Sequence, residues 1–457
     1  MSFKKYFIVA GFLFLGLFVH LLAYGQTIHT VRKGDSLSRI AHRYFPYTAS
    51  YTKQELVRDI VEINGISSQS LSIGQDLVIP VIREKPLRPK SIARPRDFSA
   101  KGVYINQWNA GSRQVFSIAD KLKIYGANTI VFDAKDVRGG LSYRSALPNL
   151  FSPVIGYPYG LEDMSKLIAY LHLMDIHVVA RVCVFRDMLI AGSMHHWRID
   201  KDWLNPADPE VQAYIEAIVK ELIGFGVDEI QLDYCRYPAD GSQSTGVEGK
   251  TRSDIIAGFL QRIHDLTSSR GVLLSLDMFG IVIWKQDQDV LIVGQDIEKI
   301  KHHVDIISPM LYPSHFSTDF AGIKNPADKP YYFVSKGIAR LKEIVGDDVV
   351  IRPWLQSFPL RVTIGYGPGF IQDQISASMD SGGAGWLLWS PGNYYQEAYT
   401  AMENLCLGRK QPPPGIRKEE TGGSAWESNP PATLDAQHTG FEVRGTHQDP
   451  SASTGGT

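Results

Sequence analysis

Between residues 100 and 408 the chain alternates short apolar or alternating runs with amphipathic stretches, eight times over. The strand-like runs fall at 103–108, 129–133, 177–185, 229–235, 273–279, 305–312, 349–356 and 385–389. Helical periodicity follows at 113–124, 161–174, 209–224, 253–268, 294–302, 331–344, 370–380 and 395–405. Strict alternation of this kind implies a parallel sheet, because each return to a parallel neighbour needs a crossover helix. Eight units suit a closed (β/α)8 barrel, an α/β fold. An open doubly wound sheet is the alternative, but no GxGxxG turn follows the first run.

In such a barrel, outward side chains meet helices and are apolar, while inward positions near the strands' C-terminal ends carry chemistry. In the fourth run Ile230, Leu232 and Tyr234 share one face, and Glu229, Gln231, Asp233 and Cys235 the other. Asp233 is therefore expected inside, near the strand end. In the fifth run Ser275 and Asp277 face in. Asp133 and Lys135 share a face of the second run, and Arg181 lies on the inner face of the third. The first run adds Asn106 and Trp108, and later runs add Tyr312, Gln356 and Trp389, with His315 in a strand-end loop. The expected mouth thus holds the carboxylates Asp233, Asp277 and Asp133 beside the cations Lys135 and Arg181. Burying such a cluster is costly unless it is paired or functional.

The segments Lys101-Gly-Val-Tyr104, Asp133-Ala-Lys-Asp136, Asp228-Glu-Ile-Gln-Leu-Asp-Tyr-Cys-Arg-Tyr-Pro238, Ile307-Ser-Pro-Met-Leu-Tyr-Pro-Ser-His315, Arg352-Pro-Trp-Leu-Gln356 and Gly385-Trp-Leu-Leu-Trp-Ser-Pro-Gly-Asn393 resemble the bacterial "putative glycoside hydrolase" family. The resemblance spans 101–400. It implies an exported TIM barrel distantly similar to the α-amylase clan. In that clan the nucleophile ends the fourth strand, where Asp233 stands. Here Gln231 replaces the clan's arginine and Asp277 its fifth-strand glutamate, so α-glucan is not the implied substrate.

Residues 27–82 form a separate β-α-α-β unit. A strand meets Gly34, and Asp35 or Ser36 can cap a helix carrying Leu37, Ile40 and Ala41. A second helical stretch ends at Gly65, and Leu71 to Pro80 is a turn and strand. The opening Val31-x-x-Gly34-Asp35-Ser36-Leu37, the central Asn64-Gly65 and the Leu71-x-x-Gly74-Gln75-x-Leu77-x-Ile79-Pro80 ending resemble the LysM domain. The stretch from Phe45 to Lys53 between the helices is longer than usual. The resemblance implies a groove for N-acetylglucosamine-containing glycans at Gly34, Asp35, Ser36, Leu37, Ile73 and Gly74.

The flanks read differently. Lys4 and Lys5, an apolar run from Phe7 to Val19 and Ala23-Tyr24-Gly25 form a signal peptide over 1–25, cleaved before Gln26; an uncleaved anchor is the alternative. Residues 83–99 are a Pro/Arg-rich linker. Residues 409–457 lack apolar density and are expected to be disordered. Lys+Arg 47 against Asp+Glu 48 excludes the basic excess of a nucleic-acid binder. Three widely spaced cysteines and the adjacent pairs His195-His196 and His302-His303 give no zinc spacing, and no metal or organic cofactor is implied.

The expected protein is an exported, periplasmic or cell-wall-associated glycoside hydrolase. Its LysM unit would tether it to peptidoglycan, and a carboxylate pair would cleave a polysaccharide. The competing class is a non-catalytic carbohydrate-binding barrel. A cell-wall amidase is disfavoured by the lack of a Cys/His or zinc signature.

Overall fold

The computed structural model describes residues 27–67, 71–149, 151, 160–239, 249–284 and 286–408. The expected signal peptide over 1–25 and the expected disordered tail over 409–457 lie outside them. In the N-terminal unit, strand Thr27–Thr30 pairs antiparallel with Asp76–Ile79, register Thr27 to Ile79. Helix Leu37–Tyr44 is capped by Ser36, whose side chain accepts from the Arg39 N–H, and helix Lys53–Ile63 by Thr52 in the same way. Leu37, Ile40, Ala41, Leu56, Ile60, Leu77 and Ile79 form its small core. The Asn64 side chain exchanges two hydrogen bonds with the backbone of Val78, fastening the second helix to the strand.

The large unit is a closed barrel. Its strands are β1 (Ala100–Ile105), β2 (Thr129–Lys135), β3 (His177–Cys183), β4 (Glu229–Asp233), β5 (Leu273–Phe279), β6 (Ile306–Met310), β7 (Val350–Ile351 and Trp354–Gln356) and β8 (Gly385–Trp389). All neighbours are parallel, and β8 pairs with β1 to close the ring. At this seam Gly385 has φ +93°, and a Cβ there would fall 1.9 Å from the Ala100 carbonyl oxygen, so only glycine fits. Helices cover the outside, against Ile230, Leu232, Leu274, Leu276 and Met278. The expected fifth helix, 294–302, is instead two pieces, Gln286–Val293 and Ile297–Ile300. Gly294 at φ +76° breaks them.

Inside, the barrel floor is ionic. Arg352 Nη1 donates to both Glu229 oxygens at 2.9 Å, and His177 Nε2 lies 2.9 Å from Glu229 Oε2. Burial opposes the charge, yet Arg352 and His177 together hold Glu229 down at about 2. One layer up, Gln231 Nε2 donates to Ser308 Oγ. Val131, Val179 and Leu387 fill the rest of the wall with Tyr104, Tyr312 and Trp354.

The two units are not strung on a free linker. The 83–99 segment lies across the barrel floor. The Ile92 N–H donates to Asp228 Oδ1, Arg94 pairs with Asp175 at 3.0 Å, and the Phe98 ring meets His177. All three partners stand at or just before the N-terminal ends of β3 and β4. Proline stiffness, read as a spacer, serves here to lay the chain flat against this face.

The long stretch between the LysM-like helices docks that unit on the barrel. Tyr51 is buried in the barrel's own core cluster, edge-on to Phe116, and its hydroxyl donates to the Ala110 carbonyl. Lys166, fully buried in helix Met164–Leu173, donates from Nζ to the carbonyls of Phe45 (2.7 Å) and Ser50 (2.6 Å) under the Phe45 ring. Burial pushes this ammonium down to about 7. Tyr170 Oη donates to Ala49 O, and Arg113–Glu55 and Lys53–Glu162 ion pairs close the rim.

Candidate active site

The C-terminal end of the barrel converges on one cation. Arg181, on β3 and 5% exposed, donates from Nη1 to Asp133 Oδ1 on β2. Its Nε and Nη2 both donate to Asp233 Oδ2 on β4, at 3.1 and 2.6 Å. The same Nε is 3.8 Å from Asp277 Oδ2 on β5. The register explains the convergence. Asp133 stands opposite Arg181, Cys183 opposite Asp233, and Gln231 opposite Ser275, so Asp233 and Asp277 stand at one level on neighbouring strands. The two distances to Nε cap the Asp233–Asp277 Oδ2 separation at their sum, about 6.9 Å, a ceiling that admits the retaining spacing of about 5–5.5 Å and only the lower edge of the inverting range of about 6.5–9.5 Å.

The three carboxyl groups have different partners. Asp233 Oδ1 accepts from the Tyr234 N–H at 2.6 Å, and Tyr234 takes φ +52° at this strand end. Asp133 Oδ2 accepts from the Tyr104 hydroxyl; burial raises its pKa although Arg181 and Tyr104 pull it down. Asp277 Oδ1 accepts from Trp354 Nε1 at 2.7 Å. Burial first, and the neighbouring Asp233 second, push the Asp277 pKa well above its ordinary value, which favours the protonated form. Above the cluster Trp389, half-buried, stacks on Tyr104 at 4.0 Å, with the Arg181 guanidinium 4.8 Å from its ring. Tyr312 is buried in the loop after β6, with His315 and Phe358 edge-on to it. Burial pushes His315 down to about 4, so it is neutral.

Asp133, Asp233, Asp277, Arg181, Tyr312, His315 and Trp389 therefore gather at the mouth. Four other expectations are corrected. Lys135 does not face the mouth. A bulge in β2 between Asp133 and Lys135 turns it aside. It is fully buried, 3.0 Å from Asp187 and donating to the Cys183 carbonyl. Gly139 backs this pair, since a Cβ there would strike Asp187 Oδ1 at 2.0 Å. Strand β1 stops at Ile105 because Asn106 caps the one-turn helix Gln107–Ala110, its side chain accepting from the Asn109 N–H. Trp108 rides on that helix, 55% exposed, not on the barrel wall. Gln356 is spent on structure: Oε1 accepts from the Ser314 N–H and Nε2 donates to Phe358 O.

In the small unit, Leu37 points into the core rather than a groove. Asp35 accepts from the Arg32 N–H and pairs with His29, and Ser36 is the helix cap. Gly34 and Gly74 turn at φ +88° and +86°, and Ile73, beside Gly74 in the chain, is 72% exposed.

Sequence reasoning missed Asp187, Trp354 as donor to Asp277, and Asn393. The last was detectable: Pro-Gly-Asn after a strand is a turn signal, and Asn393 adopts φ +58°.

Among the described residues no group of three or more His, Cys, Asp or Glu could hold a metal ion. Residues 102–395 match a family described as "Putative glycosyl hydrolase domain", and residues 29–80 match the LysM domain. Among solved structures, the glycoside hydrolase domain of PgaB (BpsB) from Bordetella bronchiseptica is 13% identical with a TM-score of 0.51, covering 67% of this chain and 98% of that one. A hypothetical protein from Ruminiclostridium thermocellum is 28% identical over 38% of this chain and 96% of its own, TM-score 0.34. The Bacillus cereus spore cortex-lytic enzyme SleL is 13% identical, covering 83% of this chain and 86% of that one, TM-score 0.44. The likeness to the PgaB domain is one of fold; no curated protein matches the chain. With more than half of its length inside the first family, the chain belongs to this glycosyl hydrolase family and carries an N-terminal LysM domain.

Proposed function

We propose that the barrel cleaves a wall glycan with Asp233 as nucleophile and Asp277 as acid. The observation that carries this reading is the pair of neighbouring carboxyl groups that the site treats oppositely. Asp233 takes two guanidinium N–H donors, while Asp277 takes one indole N–H and is shifted by burial toward its protonated form. One carboxyl group paired with a cation and a neighbouring one biased toward its acid form are what glycoside hydrolysis requires.

In the first step Asp277 gives its proton to the glycosidic oxygen. The bond from that oxygen to the anomeric carbon breaks as an Asp233 oxygen bonds to the same carbon. In the second step Asp277, now ionised, takes a proton from water, whose oxygen displaces Asp233. Arg181 supports the returning negative charge on Asp233, and configuration is retained. Trp389, half-buried at the mouth, supplies a flat apolar face for a sugar ring.

The LysM domain gives the glycan preference. In this reading it holds an N-acetylglucosamine-containing polymer, peptidoglycan first, and the protein acts outside the cytoplasm. The docked geometry makes this tether stiff: Tyr51 and Lys166 join the two units, while Ile73 stays exposed.

One observation favours a second reading, a non-catalytic glycan-binding barrel. Arg181 reaches all three carboxyl groups, and the Asp277 side chain is only 1% exposed. The full chain incubated with peptidoglycan and a glycan panel, assayed for released reducing ends, separates the two. Binding without release from any substrate would establish the second.

A further inference from the structure

The loop after β8 is built more firmly than an exposed loop needs to be. Asn393 Nδ2 donates to the carbonyls of Tyr104 (3.0 Å) and Ser390 (3.1 Å), and its Oδ1 accepts from the Asn106 N–H and from Asn109 Nδ2. Tyr395 Oη also donates to Tyr104 O at 2.6 Å, and the Tyr394 N–H to Ser390 Oγ. Between these anchors Tyr394 is held 82% exposed. Its ring lies against Gly392: a Cβ on that glycine would fall 2.4 Å from the ring carbons, so the glycine is what lets the ring lie there. A large aromatic presented on a locked loop gains nothing for the fold, and its position is fixed in advance of any ligand.

Tyr394 lines a cleft of about 320 Å³ with Phe358, Tyr366, Gln396 and Glu397. That volume is at the small end of ligand-sized sites. The cleft continues the mouth. Phe358 touches Tyr312 and His315, and Ser390, on the cleft wall, follows Trp389 directly. Aromatic faces alternating with a carboxylate and an amide complement a pyranose ring, with its apolar C–H face and its edge of hydroxyl groups. A lipid or peptide side chain would leave Glu397 and Gln396 without use.

We propose that this cleft is a sugar subsite one step out from the catalytic carboxyl groups, with Tyr394 as its stacking platform and Glu397 as hydroxyl acceptor. It holds the neighbouring residue of the same glycan, and so sets the length of chain the enzyme prefers. The proposal rests on the hydrolase reading for its substrate class, and the tests below separate the two.

Crystals of the full chain carrying Asp233→Asn, soaked with N-acetylglucosamine hexamer and with peptidoglycan glycan strands, should show a sugar ring over Tyr394. A cleft empty of sugar with every probe, a glycan bound in the mouth that turns away from it, or a cleft filled by a second copy would each overturn the subsite. In hydrolysis, Tyr394→Ala should lower kcat/KM for the longest substrate about tenfold while leaving the shortest cleaved one within about twofold. Glu397→Gln should act in the same direction. An equal loss at every length would also overturn it. If the wild type cleaves nothing, the hydrolase reading fails, while the soaked crystals still decide the cleft.

Discussion

Replacing Arg181 by methionine removes the cation at the centre of the mouth while filling most of its volume. The guanidinium is 5% exposed and donates to Asp133 through Nη1 and to Asp233 through Nε and Nη2. Taking away one partner of a buried ion pair costs about 3–5 kcal/mol, because the other charge is stranded. Here two carboxylates lose their partner, so the upper part of that range is expected at neutral pH. Against a total stability of about 5–15 kcal/mol that is a large fraction, and Tm should fall by roughly 10 °C. The loss must depend on pH in a definite sense. Without the guanidinium the folded protein holds protons on these carboxyl groups more tightly than the unfolded chain, whose aspartates titrate near 3.9. Where the folded state binds more protons, stability falls as pH rises. The deficit against wild type should therefore be small near about pH 4 and grow steadily toward about pH 7. Urea denaturation followed by tryptophan fluorescence across that range measures it. Adding Asp133→Asn and Asp233→Asn to the variant should recover most of the loss at neutral pH. A deficit that does not change with pH, or that the added asparagines do not relieve, would refute the electrostatic account. It would assign Arg181 to packing over Trp389 instead.

Asp277→Asn should reduce turnover by about 10²–10⁴-fold, since a general acid is lost, yet should lower Tm little, because burial favours the uncharged form of this group and the amide oxygen can still accept from Trp354 Nε1. A parallel loss of stability and activity would count against that assignment. Tyr51→Ala should cost about 3–5 kcal/mol and loosen the LysM domain, read as a larger radius of gyration in solution scattering and faster proteolysis between the units; an unchanged radius would show that Tyr51 does not hold the interface. Mass spectrometry of the secreted protein should find a mature terminus at Gln26, and an intact Met1 in membrane fractions would favour an anchor.

The barrel and its carboxyl groups were legible because strand periodicity is local. Gln231 and Asp233 alternate with Ile230 and Leu232, and Ser275 and Asp277 with Leu274 and Leu276, so faces could be assigned residue by residue. Strand register then brought Asp233 level with Asp277, as neighbouring parallel strands must when no bulge intervenes. Where a bulge does intervene, in β2, the same alternation misplaced Lys135. Trp108 was misplaced for a related reason: the strand pattern runs on, but Asn106 offers a helix cap that stops it. The docking of the LysM domain was hidden altogether. Tyr51 and Lys166 lie on either side of contacts spanning 59 and 121 residues, and nothing near either one signals its partner. The longer stretch from Phe45 to Lys53 was the only local sign, visible as a departure from the usual domain without a reason for it.

The central claim is that Asp233 is the nucleophile of a working hydrolase. Asp233→Asn keeps the side chain's shape and one acceptor oxygen, for Arg181 or for the Tyr234 N–H but not for both, while removing its nucleophilic charge. The decisive measurement is reducing ends released from one glycan by wild type and by Asp233→Asn, alongside each protein's binding to that glycan. The account predicts turnover lower by about 10³-fold or more with binding kept within about twofold. Near wild-type turnover by the asparagine variant would contradict it.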